Sequence, residues 1–170
     1  AGGGDIPVPA PIVWKDLIFF NSAHGRYAPL MAVNNSASGK IPYPKRNAEP
    51  ADEFAWFHER EGAYMSSVLV YDSLLYRLRW NGNLSCFDPR TGEMIYSEHV
   101  KNYSFIASPV ASGGKLYLVA EEGIVHIVKA GKEYKEIMRI PLGGVSLVTP
   151  GIAEDMIIFR TADRLIGVGR

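Results

Sequence analysis

An internal repeat with an interval of 41 residues limits what this chain can fold into more than any other feature. Tyr76 aligns with Tyr117 at that interval, and a further repeat carries Pro109 onto Pro150 without a gap. Repeats of roughly 20 to 50 residues are typical of solenoids and propellers, in which each repeat is a small unit that buries its faces against its neighbours. We therefore expect a stack of similar units.

A longer copy of the repeat lies upstream. Residues 11–19 match residues 109–117, and this first copy exceeds the common interval by 16 residues. The surplus falls between Asn34 and Asp52, where three prolines interrupt any regular element. We expect 34–52 to be an inserted surface loop.

Each copy has the sequence pattern of short β-strands. In the second copy, strands are predicted at 66–70, 74–80, 83–88 and 93–99. Asn81 and Gly82 predict a type I′ hairpin turn, in which both central residues have positive φ. No window of about 11 residues has a convincing helical period, so no long helix is expected. Four short antiparallel strands in a repeat of this length match a propeller blade.

Two strands of the third copy, at 116–120 and 124–128, are apolar on both faces. A strand with one wet face alternates between apolar and polar residues, whereas a strand between two neighbouring sheets need not. Blades that stack face to face bury their strands in this way. The competing interpretation is a β-sandwich of two facing layers.

The repeat divides the chain into four units near 6–56, 57–99, 100–140 and 141–170. Only three strands fit into the last unit, so its outer strand is expected to come from elsewhere. The chain begins at Ala1 without methionine or a signal peptide, and we expect an upstream part of a longer gene product to supply that strand. Open blade faces are expected to pair with the missing blades or with another molecule.

The most specific motif is Cys86-Phe-Asp-Pro-Arg-Thr-Gly-Glu-Met-Ile-Tyr96. With the Ser-Pro-Val and Gly-x-Leu-Tyr phrases at fixed spacing, it resembles the repeat of the PQQ-like β-propeller family over residues 11–170. That family includes quinoprotein dehydrogenases and the propeller lipoprotein of outer-membrane assembly. The resemblance implies an all-β propeller of about four four-stranded antiparallel blades, part of a ring of about seven or eight. It also implies a bacterial-type protein in a periplasmic or extracellular setting.

The same motif predicts how neighbouring blades are held together. Asp88 can accept hydrogen bonds from the amides of the turn that contains Thr91, and Gly92 can take the left-handed conformation that ends this turn. By resemblance to the family's tryptophan-docking motif, the ring of Tyr96 is expected to lie over the neighbouring blade. Trp56 is the corresponding ring of the first copy, delayed by the inserted loop. These residues are assigned a structural role, and no residue is assigned a catalytic one.

The resemblance raises the question of a quinone cofactor. The dehydrogenase branch of the family uses an adjacent cysteine pair, a calcium ion held by carboxylate and amide ligands, and a catalytic aspartate. This chain has one cysteine, Cys86, whose apolar neighbours predict a buried thiol. Many family members bind no quinone. We therefore expect no cofactor and no metal site, with PQQ and calcium as the alternative.

Charge and histidine content argue against several other classes of binding. Lysine and arginine balance aspartate and glutamate at 18 each, which leaves no basic excess for nucleic acid or acidic lipid. No apolar run reaches the roughly 18 residues that span a bilayer. The four histidines lack the close spacing of a zinc site. His126 lies in a predicted strand, where a polar contact between strands or blades is expected.

One predicted loop combines residue types that suit ligand contact. His24, Arg26 and Tyr27 follow the second strand of the first copy, and arginine and tyrosine are common at binding sites. The sequence therefore favours a non-catalytic propeller scaffold that binds a protein or glycan partner through its loops, including 34–52. The alternative is a fragment of a PQQ-dependent quinoprotein oxidoreductase of the alcohol or sugar dehydrogenase type.

Overall fold

The computed structural model describes residues 8–23, 28–42, 44, 51–100 and 102–169. Within these ranges every regular element is a β-strand, which confirms the predicted all-β fold. The same ranges hold no helix that is long and apolar enough to cross a membrane.

The strands form four antiparallel sheets, each in sequence order, which we call blades 1 to 4. Blade 1 contains β1 (Ile12–Trp14), β2 (Leu17–Asn21), β3 (Leu30–Asn34) and β4 (Phe54–His58). Blade 2 contains β5 (Leu69–Tyr71), β6 (Leu74–Leu78), β7 (Asn83–Phe87) and β8 (Met94–His99). Blade 3 contains β9 (Val110–Ser112), β10 (Lys115–Val119), β11 (Ile124–Lys129) and β12 (Glu136–Pro141). Blade 4 contains β13 (Gly151–Ala153), β14 (Met156–Arg160) and β15 (Leu165–Gly169).

Strand ends differ from the sequence-based expectation at several places. The last strand of blade 1 runs to His58, beyond the expected unit boundary at residue 56. In blade 2 the first strand begins at Leu69 instead of residue 66, and the second ends at Leu78 instead of residue 80. The described residues between β3 and β4 contain no strand. Blade 4 has the three strands for which the sequence had room.

The outer strand pair of each complete blade has the same irregularity. The register between third and fourth strands shifts after Ala32 in blade 1, after Cys86 in blade 2 and after Ile127 in blade 3. A bulge of this kind bends and twists the strand that carries it. Its recurrence at equivalent positions shows that the repeat extends to backbone detail.

Each hydrophobic core lies between two consecutive blades. The strand β6 is buried at every position, which agrees with burial on both faces. The three clusters join buried side chains from successive blades: Phe19 with Phe87, Leu78 with Leu118, and Val125 with Phe159. Two facing layers would share one core, so the sandwich interpretation is wrong.

The turn between β6 and β7 is not the predicted type I′ turn. Only Gly82 has positive φ (86°), and its N–H donates to the Arg79 carbonyl at 2.9 Å. Trp80 and Asn81 are therefore the central residues of the turn. A Cβ on Gly82 would overlap the Val100 carbonyl oxygen, so the close approach of the next connection requires glycine at this position.

Candidate functional site

The connections that follow the second and the fourth strands of a blade lie at one end of the sheets, because neighbouring strands run antiparallel. We call the segments 59–68, 79–82, 102–109 and 120–123 the connection face. Backbone hydrogen bonds fix these segments to one another. Phe105 N–H donates to the Trp80 carbonyl at 2.8 Å, and one repeat later Ser146 N–H donates to the Glu121 carbonyl at 3.0 Å.

A pocket of about 760 Å³ opens on the connection face. Its walls come from three blades, so no single repeat could form it. The lining includes Arg60, Tyr64 and Met65 from the connection between blades 1 and 2, together with Trp80, Phe105 and Glu121.

Trp80 is the most informative residue of this pocket. Its side chain is 57% exposed although its carbonyl is held by Phe105. The repeat places Glu121 and Ala162 at the same turn position in blades 3 and 4. The fold therefore does not require an indole at this position. Sequence reasoning missed Trp80 because it placed the residue at the end of a strand; the alignment with Glu121 was the signal that could have found it.

A buried ion cluster supports the pocket from beneath. The Arg77 side chain has no exposed surface, and it binds Glu61 and Ser85 Oγ, the latter at 3.0 Å. Burial, together with repulsion by Arg79, lowers the pKa of Arg77 to about 10. Arg79 in turn reaches Glu61 at 3.4 Å and donates to the Gly62 carbonyl at 3.3 Å. These contacts fix the connection between blades 1 and 2 against β6.

Arg60 differs from its arginine neighbours. Its side chain is exposed and lines the pocket. Arg77 and Arg79 both bind Glu61, whereas the described ion pairs include none with Arg60. Arg60 is therefore available to a ligand.

The predicted binding loop lies outside the described residues. This holds for His24, Arg26 and Tyr27 alike. The residues on either side of the loop, Ala23 and Ala28, line the pocket.

The side chain of Trp56, in β4, packs against the turn of blade 2 that contains the motif resembling the PQQ-like repeat. Its Nε1 donates to the Pro89 carbonyl at 2.9 Å, across the junction between blades 1 and 2. A Cβ on Gly92 would lie 2.7 Å from Trp56 Cδ2, and Gly92 has φ 73°. Asp88 Oδ1 accepts from the N–H groups of Arg90 at 2.7 Å and Thr91 at 3.3 Å.

Trp56 provides both a ring contact and a hydrogen bond at its junction. At the junction between blades 2 and 3, two different tyrosines provide these contacts. Tyr96 packs edge-on against Tyr134, with ring centroids 6.3 Å apart. Its buried hydroxyl has no hydrogen-bond partner among the described residues, and burial raises its pKa. The bond to the next turn is made instead by Tyr76, whose hydroxyl accepts from Gly131 N–H at 2.8 Å.

A second cleft, of about 580 Å³, lies between blades 3 and 4. Tyr117, the repeat equivalent of Tyr76, lines it together with Met156 and Gly169 at the end of β15. At the other junctions, a turn between the third and fourth strands receives the ring of the preceding blade. Tyr117 has the corresponding ring position in this cleft, so we assign the cleft to the packing of blades 3 and 4.

Two observations on the described residues bear on the question of a quinone and calcium site. Cys86 is fully buried within the core between blades 2 and 3, and burial raises the pKa of its thiol to about 12. The part of the chain that the structure describes contains no group of three or more His, Cys, Asp or Glu side chains able to hold a metal ion.

His126 makes the interstrand contact that its place in the sequence predicted. Its Nδ1 lies 2.6 Å from Glu136 Oε1 on the neighbouring strand. Its ring packs edge-on against Tyr103, with centroids 4.7 Å apart. Burial lowers the pKa of the imidazole despite the carboxylate. His126 thus has a structural role at the junction.

No family model and no curated protein matches the chain. Many solved structures share its fold, and three of them follow. BamB from Moraxella catarrhalis is 15% identical with a TM-score of 0.67, over 94% of this chain and 41% of BamB. The computationally designed Ika4 protein is 11% identical with a TM-score of 0.71, over 99% of this chain and 94% of Ika4. A quinohemoprotein alcohol dehydrogenase from Pseudomonas putida is 14% identical with a TM-score of 0.64, over 88% of this chain and 27% of the enzyme.

The chain thus spans less than half the length of BamB and about a quarter of the dehydrogenase. Both are propellers of the PQQ-like type, as the sequence motif implied. Four consecutive antiparallel sheets, with one core at each junction, are the blades of such a ring. The chain therefore has a β-propeller fold, which is similar to that of BamB and of the dehydrogenase.

Proposed function

We propose that this chain is part of a non-catalytic β-propeller scaffold, and that it binds a segment of a partner protein in the pocket beside Trp80. The observation that carries the proposal is the exposure of Trp80 at a turn position where the sister blades have glutamate and alanine. An exposed tryptophan that packing does not require is a typical feature of a recognition surface.

The residue types around Trp80 support a protein ligand. Protein interfaces are enriched in aromatic residues, methionine and arginine, and the pocket combines Tyr64, Met65, Phe105 and Arg60 with Trp80. Backbone hydrogen bonds hold the walls in place before a ligand arrives. Such preorganisation reduces the entropy lost on binding.

Selection of peptides on the immobilised protein tests the proposal. A displayed library of random dodecapeptides is enriched on the wild-type chain, and each enriched peptide is then measured against W80A and against V13A, which removes an exposed side chain of blade 1. Hot-spot truncation costs about 2 kcal/mol, or roughly 30-fold in Kd. We expect W80A to lose that affinity and V13A to keep it. Peptides that bind W80A as tightly as wild type would contradict the proposal.

The alternative function is that of a quinoprotein oxidoreductase fragment, which the fold shared with the alcohol dehydrogenase favours. Titration with PQQ and calcium, followed by absorbance and by dye-coupled oxidation of alcohols and sugars, separates the two functions. We expect no quinone signal and no turnover. Saturable quinone binding with turnover would replace the scaffold by an enzyme.

The proposal covers only this part of a ring. The family resemblance favours a periplasmic or extracellular setting for the whole protein, and this setting belongs to the same proposal. A protein ligand is preferred to a glycan because Met65 and Ile106 present aliphatic surface to the pocket.

A further inference from the structure

The charges around the pocket are unequally matched. Arg77 and Arg79 share one carboxylate, that of Glu61. Of the charged side chains that line the pocket, Arg60 and Arg79 are cationic, and Glu121 on the opposite wall is anionic. The Arg60 side of the pocket therefore has a positive excess, although the whole chain has no net charge.

Arg60 is the cation that a ligand can use. Arg79 is already held by Glu61 and by the Gly62 carbonyl, and its Nη2 also donates to the Arg60 carbonyl. That last bond fixes the backbone from which the Arg60 side chain extends. A guanidinium presents a planar fork that matches a carboxylate.

The other side of the pocket is apolar. Phe105 is buried at 1% exposure, whereas Trp80 stands out at 57%. An aromatic or aliphatic side chain placed on Trp80 would cover the exposed indole without leaving a polar group unpaired. The pocket therefore offers a subsite that binds an anion beside a subsite that binds an apolar group.

We propose that the ligand is an acidic peptide segment in which a glutamate or aspartate side chain pairs with Arg60 and a neighbouring aromatic or aliphatic side chain packs on Trp80. This inference rests on the proposed function and names the chemistry of the partner. A peptide is preferred to a glycan because Met65, Phe105 and Ile106 line the pocket with hydrocarbon groups that cannot form hydrogen bonds with sugar hydroxyl groups.

The test is a reciprocal charge exchange with one peptide from the selection on wild-type protein. We expect enriched dodecapeptides to share an acidic residue next to an aromatic or aliphatic one. Changing that acidic residue to lysine should weaken binding to wild type by about tenfold or more. R60E should weaken the acidic peptide to a similar extent and bind the lysine version better than wild type does. R160E, on blade 4 outside the pocket, is the matched control and should bind like wild type.

The outcomes separate the two proposals. Enriched peptides that need Trp80 but carry no acidic residue, and that bind R60E like wild type, would overturn the ligand chemistry and leave the scaffold function standing. If no enriched peptide depended on Trp80 for its binding, both proposals would be overturned. A glycan array that gives Trp80-dependent binding of a uronic-acid oligosaccharide, with no enriched peptide, would overturn the peptide class. Restored binding in the charge exchange supports the inference.

Discussion

The backbone N–H of Ser67 donates to Oγ of Ser108 at 2.9 Å, across the junction between blades 2 and 3. Ser108 N–H donates in turn to Thr149 Oγ1 at 2.9 Å, and Ala10 N–H donates to Ser67 Oγ at 2.8 Å. The residue separations are 57, 41 and 41, the intervals at which the sequence repeats. One hydroxyl at the start of blade 2, of blade 3 and of blade 4 thus links each of these blades to the one before.

Removal of one such hydroxyl is expected to destabilise the stack. In S108A the Ser67 N–H loses its acceptor, so the free energy of unfolding should fall by about 1–2 kcal/mol. Urea titration followed by tryptophan fluorescence measures the shift in midpoint. S38A, an exposed serine of the inserted loop, should leave the midpoint unchanged. Equal midpoints for S108A and wild type would mean that the hydroxyl link adds no stability.

Two glycines with left-handed backbone allow the stability cost of steric crowding to be measured separately from the cost of backbone strain. Gly123 has φ 75° and an added Cβ would overlap the Gly144 carbonyl, whereas Gly113 has φ 56° and open space around it. G113A should cost about 1–2 kcal/mol, the left-handed penalty alone. G123A should cost clearly more, because the connection between blades 3 and 4 must move. Thermal unfolding of the two variants provides the comparison, and similar losses would refute the close approach.

The indole of Trp56 provides both a ring and a hydrogen bond to blade 2. W56F keeps an aromatic ring but leaves the Pro89 carbonyl without its 2.9 Å donor, which should cost about 1–3 kcal/mol. W56A also loses the packing at a residue that is 7% exposed and should cost about 3–5 kcal/mol. Denaturant titration ranks the two variants. W56F with wild-type stability would show that the bond is dispensable.

Acidification should weaken the junction between blades 2 and 3 through His126. Burial holds the pKa of this imidazole below its ordinary value of 6.5, opposed by Glu136 and Glu122 and assisted by Arg139. Below pH 6.5 the unfolded chain therefore binds a proton that the folded chain resists, and stability falls as the pH decreases. The lowered pKa of Glu136 acts in the same direction below pH 4.5.

The variant H126Q removes the titration of the His126 imidazole. Between pH 7.5 and 5.5, the unfolding free energy of wild type should decrease more than that of H126Q. The same decrease in both proteins would assign the pH dependence to other groups.

The repeat and the β-strands were accessible to sequence reasoning because they depend on local patterns. The hydrogen bonds of Asp88 to the amides two and three residues further on belong to the same class. The turn at Gly82 differs from the type I′ turn that the Asn-Gly pair favoured, because the left-handed glycine follows a turn centred on Trp80 and Asn81. The dipeptide pattern alone does not distinguish these two hairpin connections.

The docking rings show a related limit. The ring position of Tyr96 could be read from the family-like motif, but the bond to blade 3 comes from Tyr76 in another strand. Only the distance between blades decides which hydroxyl reaches Gly131. The exposed indole of Trp80 was missed for a related reason. Trp80 belongs to the turn, and not to the strand in which the sequence pattern placed it.

The most direct test of the binding pocket is hydrogen–deuterium exchange of the wild-type chain with and without a saturating peptide from the selection. We expect slower exchange in 59–68, 79–82 and 102–109, the segments of the connection face that meet at Trp80, and unchanged exchange in β13–β15. Protection confined to β15 or to the exposed face of blade 4, with none around Trp80, would contradict the account.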